Sequence, residues 1–233
     1  MNKLIPIFIL LALSPDLAFS SIKLEVLSTG STYNYFALPP ESGNRIDLSD
    51  TSKSGAFRVF YEKGYKDWSW TFLYAPLELE YNFTSTKNFN FNSTTFTTNT
   101  STKVNYKFNS YRLGYRRIHR FNKSRFYYGG LLKIRDAEIC VTQNNNSDCY
   151  DNIGPVPLLN IGLDFNGETF YLATNIDGLS SSKGSAYDIN IEAGMKLEKM
   201  KVGFGARRLG GGADNETVTN FAAFQSYYIS LSF

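Results

Sequence analysis

Histidine is nearly absent from this chain: there is one, His119, in 233 residues. That scarcity removes most histidine-based general-base and metal-ligand chemistry, because imidazole titrates near neutral pH and is the commonest metal ligand. Cysteine is almost as rare, with only Cys140 and Cys149, too few for a tetrahedral thiolate site. No apolar run approaches the roughly twenty residues that a spanning helix requires. The longest, Leu4 to Leu13, is about half that length and contains Pro6. The net charge is only +3, and the cations are dispersed, which argues against a nucleic-acid-binding face. Gly210-Gly211-Gly212 lacks the following Lys-Ser/Thr of a phosphate loop. No cofactor, metal-ligand set or catalytic constellation is therefore expected.

What is present points to export and to strands. Lys3 followed by the short apolar run and by Ala18 and Ser20 reads as a signal peptide over residues 1–20, cleaved after Ser20. One domain, residues 21–233, remains. Aromatic residues make up 16% of the chain, with 19 Phe and 16 Tyr, and Thr, Ser and Asn are abundant. That composition favours strands over helices. An exported chain meets an oxidising compartment, so Cys140 and Cys149 are expected to form a disulfide closing a polar loop. In the chain-entropy view so short a loop contributes about 2–3 kcal/mol.

Alternation of polarity then sets the fold. In the last segment Phe221, Ala223, Tyr227, Ile229, Leu231 and Phe233 share one parity, interrupted by Gln225. Upstream, Ile189, Ile191 and Ala193 alternate with Asp188, Asn190 and Glu192, and Val202, Phe204 and Ala206 alternate with Gly203, Gly205 and Arg207. Ten strands are expected, at 22–34, 55–63, 67–84, 102–118, 124–142, 155–166, 168–179, 185–198, 200–210 and 220–233, with eight as the alternative count. Trp68 to Leu79 is apolar on both parities, so its faces stay open. Short connectors near Gly64, Asn122, Gly167 and Lys199 alternate with longer ones at 35–54, 85–101, 143–154, 180–184 and 211–219. This short-turn, long-loop rhythm is that of a transmembrane barrel, which must close because lipid cannot satisfy open strand edges. The fold class expected is thus all-β, a closed antiparallel up-and-down transmembrane β-barrel. A secreted β-sandwich is the competing reading, and would bury its apolar face.

The face opposite the apolar one carries Arg58, Glu62, Arg112, Arg116, Lys133, Arg135, Asp164, Asp177, Asp188, Glu192 and Arg207. These are expected to be lumenal charges. Asp188 with Glu192, and Asp164 with Asp177, are the only arrangement that admits acid/base catalysis without histidine, and paired structural charges are the plainer reading. His119 falls in the basic stretch Arg116 to Lys123, expected to be a turn that contacts solvent or acidic phospholipid headgroups. The Thr/Asn/Ser/Phe stretch from Phe83 to Thr102 is expected to protrude as a hairpin presenting Phe89, Phe91 and Phe96.

Against this reading stands a resemblance. The ending Tyr227, Ile229, Leu231 and Phe233 is similar to the C-terminal targeting signal that the assembly machinery of outer-membrane barrels reads. Leu73-Tyr74-Ala75-Pro76-Leu77, Phe108 to Arg116, Ile134 to Ile139 and Gly210 to Asn215 resemble segments of a family of bacterial outer-membrane barrels that carries no established activity. The resemblance implies residence in the outer membrane of a Gram-negative bacterium, as a monomer, with outer-membrane lipid, lipopolysaccharide and the barrel-assembly machinery as partners. A structural or surface-interaction role is expected, a small passive pore or a lipid-modifying enzyme being the alternatives. Barrel proteases of the omptin type, lipid A deacylases, phospholipases and palmitoyltransferases all use a histidine, and His119, followed by Arg120 and Phe121, matches none of their motifs.

Overall fold

The structure, a computed structural model, describes residues 18–38, 40, 45–48, 54–182, 184–216 and 218–233. The strands in chain order are β1 (Ala18–Ala37), β2 (Ile46–Asp47), β3 (Ser54–Tyr65), β4 (Trp68–Ala75), β5 (Glu78–Thr84), β6 (Phe89–Phe91) and β7 (Thr94–Phe96). They continue with β8 (Ser101–Phe121), β9 (Ser124–Gln143), β10 (Asn146–Asn166), β11 (Phe170–Ser181), β12 (Gly184–Lys196), β13 (Lys201–Asp214) and β14 (Thr219–Ser232). The expected leader lies outside the described residues except for Ala18–Ser20, which pair with Tyr65–Lys63.

β4 and β5 keep one register against β8, with Ala75 opposite Ser110 and Glu78 opposite Lys107. They form one barrel strand interrupted at Pro76, whose ring removes a ladder donor. Each consecutive barrel strand pairs antiparallel with the next, and β14 returns to pair with β1 from Lys23–Ser232 to Ala37–Thr219. The result is a closed barrel of ten strands. Closure satisfies every edge, and Phe233 joins it by exchanging backbone hydrogen bonds with Ile22 at 2.9 and 3.2 Å.

Outside and inside are distinguished by which side chains the barrel leaves uncovered. Val26 is 70% exposed, Leu159 65%, Phe204 61% and Ile229 60%, while Asp188 is 1% and Lys133 2% exposed. A soluble sandwich does the reverse. An apolar outer face around a polar interior is the requirement of lipid. The open question of residues 68–79 resolves on side-chain size: Ser69, Thr71, Leu73 and Ala75 are buried inside, while Trp70 is exposed on the outer surface and Phe72 and Tyr74 are half-buried there. Inward glycines take tyrosine rings. A methyl group built at Gly205 would overlap the ring of Tyr228, and one at Gly162 the ring of Tyr127.

Both described termini and the turns after β3, β8, β10/β11 and β12/β13 lie at one end, here called the terminal end. The other is the loop end. Several connectors differ from expectation. Gly64 belongs to β3, and the turn is Lys66–Asp67, where Lys66 adopts a positive φ of 30°. His119 is on β8 opposite Phe126, not in a turn, and the chain reverses at Asn122-Lys123. The expected loop 143–154 is mostly strand: β9 and β10 continue to a tight reversal at Asn144-Asn145, where Asn144 takes φ 53°, a conformation Asn tolerates. The loops expected at 180–184 and 211–219 are likewise short hairpin ends, because β11, β13 and β14 run further than alternation indicated. β8, β9 and β10 thus reach 21, 20 and 21 residues, whereas about 9–11 suffice to cross a membrane. The excess stands beyond the loop end as an extension.

Cys140 and Cys149 are bonded, but the bond does not close a loop. They are directly opposed residues of β9 and β10, with Cα atoms 4.1 Å apart. The bridge staples the extension across its own ladder.

Candidate functional site: the barrel interior

The interior has three levels. At mid-barrel an ionic layer links β1, β3, β8, β11, β12 and β13. Asp188 accepts from Arg207 at 2.8 Å and Arg58 at 3.2 Å, and lies 2.8 Å from Arg112. Arg112 also donates to Asp177 at 2.6 Å, and Asn160 donates to the same carboxylate. Glu25 receives Arg207 at 2.9 and 3.1 Å and lies 3.3 Å from Arg58 and 3.1 Å from Lys23. Lys23 also meets Glu192 at 2.5 Å, and Tyr171 donates to Glu192 at 2.7 Å. Five of these contacts, Asp188 with Arg58 and Arg112, Arg112 with Asp177, Glu25 with Arg207 and Lys23 with Glu192, join strands that are not neighbours, so those side chains cross the lumen. Desolvating so many charges is costly, and the layer survives because nearly every charge is multiply compensated.

Below it, toward the terminal end, lies a chamber of about 430 Å³. Arg125 bridges Glu62 at 3.0 Å and Asp164 at 2.8 Å on its wall. Arg116 rests 4.5 Å over Tyr127 and 5.3 Å over Phe60 and donates to Asn175 at 3.3 Å. The chamber is also lined by Asn166, Lys196 to Lys201, Ser232 and Phe233, which places its mouth at the terminal end.

Above the ionic layer, Arg58 and Arg112 border a void of only about 30 Å³, and then the interior becomes apolar. Phe36, Leu38, Leu77, Leu79, Tyr81, Val104, Tyr106 and Phe224 fill the barrel there, joined by Phe89, Phe91 and Phe96. Those three phenylalanines were expected to be presented outward; they are at most 1% exposed. The β6–β7 hairpin folds its rings inward, because apolar surface on so small a hairpin gains more by joining the core than by facing water. Ring centroids of Phe36 and Phe91 are 5.2 Å apart, and those of Phe89 and Phe96 5.3 Å. The extension holds the hairpin in place. Gln143 accepts from the Thr97 amide at 2.9 Å and donates to its carbonyl at 2.8 Å. Asp148 accepts from Asn92 at 2.9 Å and from the Ser93 amide and hydroxyl at 3.0 Å.

The eleven charges singled out by alternation therefore divide. Ten lie in the ionic layer or on the chamber wall, or, as Lys133 does, over the Phe108 ring at 4.5 Å. Arg135 stands apart near the loop end, donating to Asn152 at 2.6 Å. Sequence reading missed Lys23, Glu25 and Arg125. Lys23 and Glu25 alternate with Ile22, Leu24 and Val26, so the signal was present on β1; Arg125 was hidden beside a turn.

Among the described residues, none of the four carboxylates considered for acid/base work is left without a cation. Asp188 and Glu192 are each occupied by cations, as are Asp164 and Asp177. His119 lies on the outer surface, its ring 5.7 Å from Tyr128 and within 9° of parallel, separated from the interior carboxylates by the barrel wall.

With this geometry in hand, the solved structures provide comparison. No family model and no curated protein matches the chain. Its fold matches the outer-membrane protease OmpT of Escherichia coli with a TM-score of 0.57 at 10% identity, over 95% of this chain and 98% of that one. The attachment invasion locus protein Ail of Yersinia pestis gives 0.39 at 12% identity over 92% and 97%. The toluene transporter TodX of Pseudomonas putida gives 0.38 at 9% over 94% and 90%. The chain has the closed antiparallel fold of bacterial outer-membrane β-barrels.

Proposed function

We propose that the chain is an integral outer-membrane barrel that does not conduct, and whose loop end is a surface-interaction platform contacting a partner or lipopolysaccharide. The observation that carries this reading is the apolar fill above the ionic layer, continuous with the stapled extension of β8–β10. A pore needs a continuous wet path, and about ten residues of additional strand have no use in crossing the membrane. They build instead a rigid support for external contacts.

In this reading the protein is exported with cleavage after Ser20, matures as a monomer, and is inserted by assembly machinery that reads the strand ending in Phe233. The terminal end faces the periplasm, following the rule that short turns lie there. Membrane-impermeant maleimide labelling of intact cells tests the orientation. Asn145→Cys is expected to label from outside, and Lys199→Cys only after the outer membrane is permeabilised. The opposite pattern overturns the proposal.

A further inference from the structure

The outer wall carries an arginine and a histidine on β8 where the same rungs of β10 are apolar. On β8, Arg117 and His119 point outward. Along the ladder, Arg117 is opposite Tyr128 of β9, which is opposite Ile161 of β10. His119 is likewise opposite Phe126, which is opposite Leu163. Two strands away, the same rungs thus present aliphatic side chains to lipid. Below His119 on its own strand Phe121 is exposed, and above Arg117 stands Tyr115. Trp68 is directly opposite Arg117 on the other side, with its ring stacked 6.3 Å from that of Tyr115. Arg117 and His119 therefore sit in a notch of the aromatic girdle, not in a solvated turn.

Neither residue has its polar atoms consumed. Arg117 meets Asp67 at 3.0 Å through one nitrogen and hydrogen-bonds to Tyr115, leaving further donors of its five. His119 makes ring contacts with Tyr128 and Phe126, and among the described residues its nitrogens have no hydrogen-bond partner. A cation facing lipid is tolerated near the interface and penalised deeper. Donors at that depth are satisfied by the phosphate of a lipid headgroup, while the flanking rings pack on the glycerol and upper acyl chain.

We propose that Arg117 and His119, framed by Trp68, Tyr115, Tyr128 and Phe121, form a binding site for the phosphate of an anionic phospholipid in the leaflet at the terminal end. Assigning that leaflet to the periplasmic side rests on the orientation given under Proposed function; the site itself does not. Patches of this kind discriminate anionic from zwitterionic lipid by roughly fivefold per cation at low salt.

The test uses the full mature chain in nanodiscs of phosphatidylcholine containing phosphatidylglycerol, with retained lipid counted by native mass spectrometry. The wild type is expected to retain phosphatidylglycerol in preference to phosphatidylcholine by about fivefold or more. Arg117→Gln with His119→Ala should remove most of that preference while the heat-modifiable mobility of the folded barrel is unchanged. Arg208→Gln, which removes an exposed cation on β13, should leave it intact. A wild type without preference, or a double variant that keeps it, overturns the site. Reversed maleimide labelling with the preference retained overturns the orientation alone.

Discussion

The lower and upper halves of the barrel interior solve the same packing problem with opposite chemistry. The half toward the terminal end is filled by guanidinium and carboxylate groups around an open chamber of about 430 Å³. The half toward the loop end is filled by aromatic rings. The ionic half depends on partner counts, since removing one charge takes a partner from several others. The aromatic half depends on volume, and each ring contributes by its burial. The difference teaches which part is scaffold and which is cover: the ionic layer ties non-adjacent strands together, while the aromatic fill is partly supplied by a small hairpin that is not one of the ten wall strands.

The largest effect should come from Asp188→Ala. It removes the carboxylate shared by Arg58, Arg112 and Arg207 and leaves three buried guanidiniums with Glu25 and Asp177 as their only carboxylate partners among the described residues, at a cost of about 3–5 kcal/mol. The urea midpoint of refolding into micelles should fall accordingly. An unchanged midpoint would mean that water enters the layer and that the two halves differ less than their contacts indicate.

Phe91→Ala should cost about 3 kcal/mol, the usual range for deleting a buried ring, but its effect should be local. Hydrogen exchange should rise in β6–β7 and at the loop end while β11–β14 stay protected. Exchange that rises throughout the barrel would show the cover to be part of the scaffold.

Reducing the Cys140–Cys149 bond should cost less, about 2–3 kcal/mol at most for so short a loop, since its effect comes through the unfolded chain, and the loss should fall on the extension. Protease sensitivity near Asn144 should increase, with barrel stability nearly unchanged.

The smallest effect concerns pH. Burial alone would raise the Asp148 carboxyl, but hydrogen bonds from Asn92, Thr94 and Ser93 outweigh it and hold the group below its ordinary 3.8. A depressed folded value gives stability that is fully present above the unfolded value and is lost as pH falls through the folded one. Hairpin protection should therefore persist to pH 4 and weaken only below about 3.8. Asp148→Asn should flatten that dependence.

Most of the barrel was legible because lipid forces a strict alternation on each spanning strand. Ile189, Ile191 and Ala193 against Asp188, Asn190 and Glu192 is the clearest case, and the ten expected strands are the ten that form. The alternation ends where the membrane ends. Gln143 to Asp148 is polar on both parities, so the extension read as a loop although it is strand. Phe89, Phe91 and Phe96 were visible as a hairpin, but the surface that covers them comes from Phe36, Tyr81 and Tyr106, far apart in sequence. The charges on the inner face could be picked out one by one. Their pairing could not, because Arg112 and Asp177, or Glu25 and Arg207, meet only when the sheet closes.

The central claim, that aromatic fill above an ionic layer seals the barrel, is tested most directly by conductance in a planar bilayer. The wild type should insert without stable conductance steps, and Phe89→Ala with Phe91→Ala should at most add brief, small openings, since the ionic layer remains. Large, steady conductance from the wild-type chain would contradict the account.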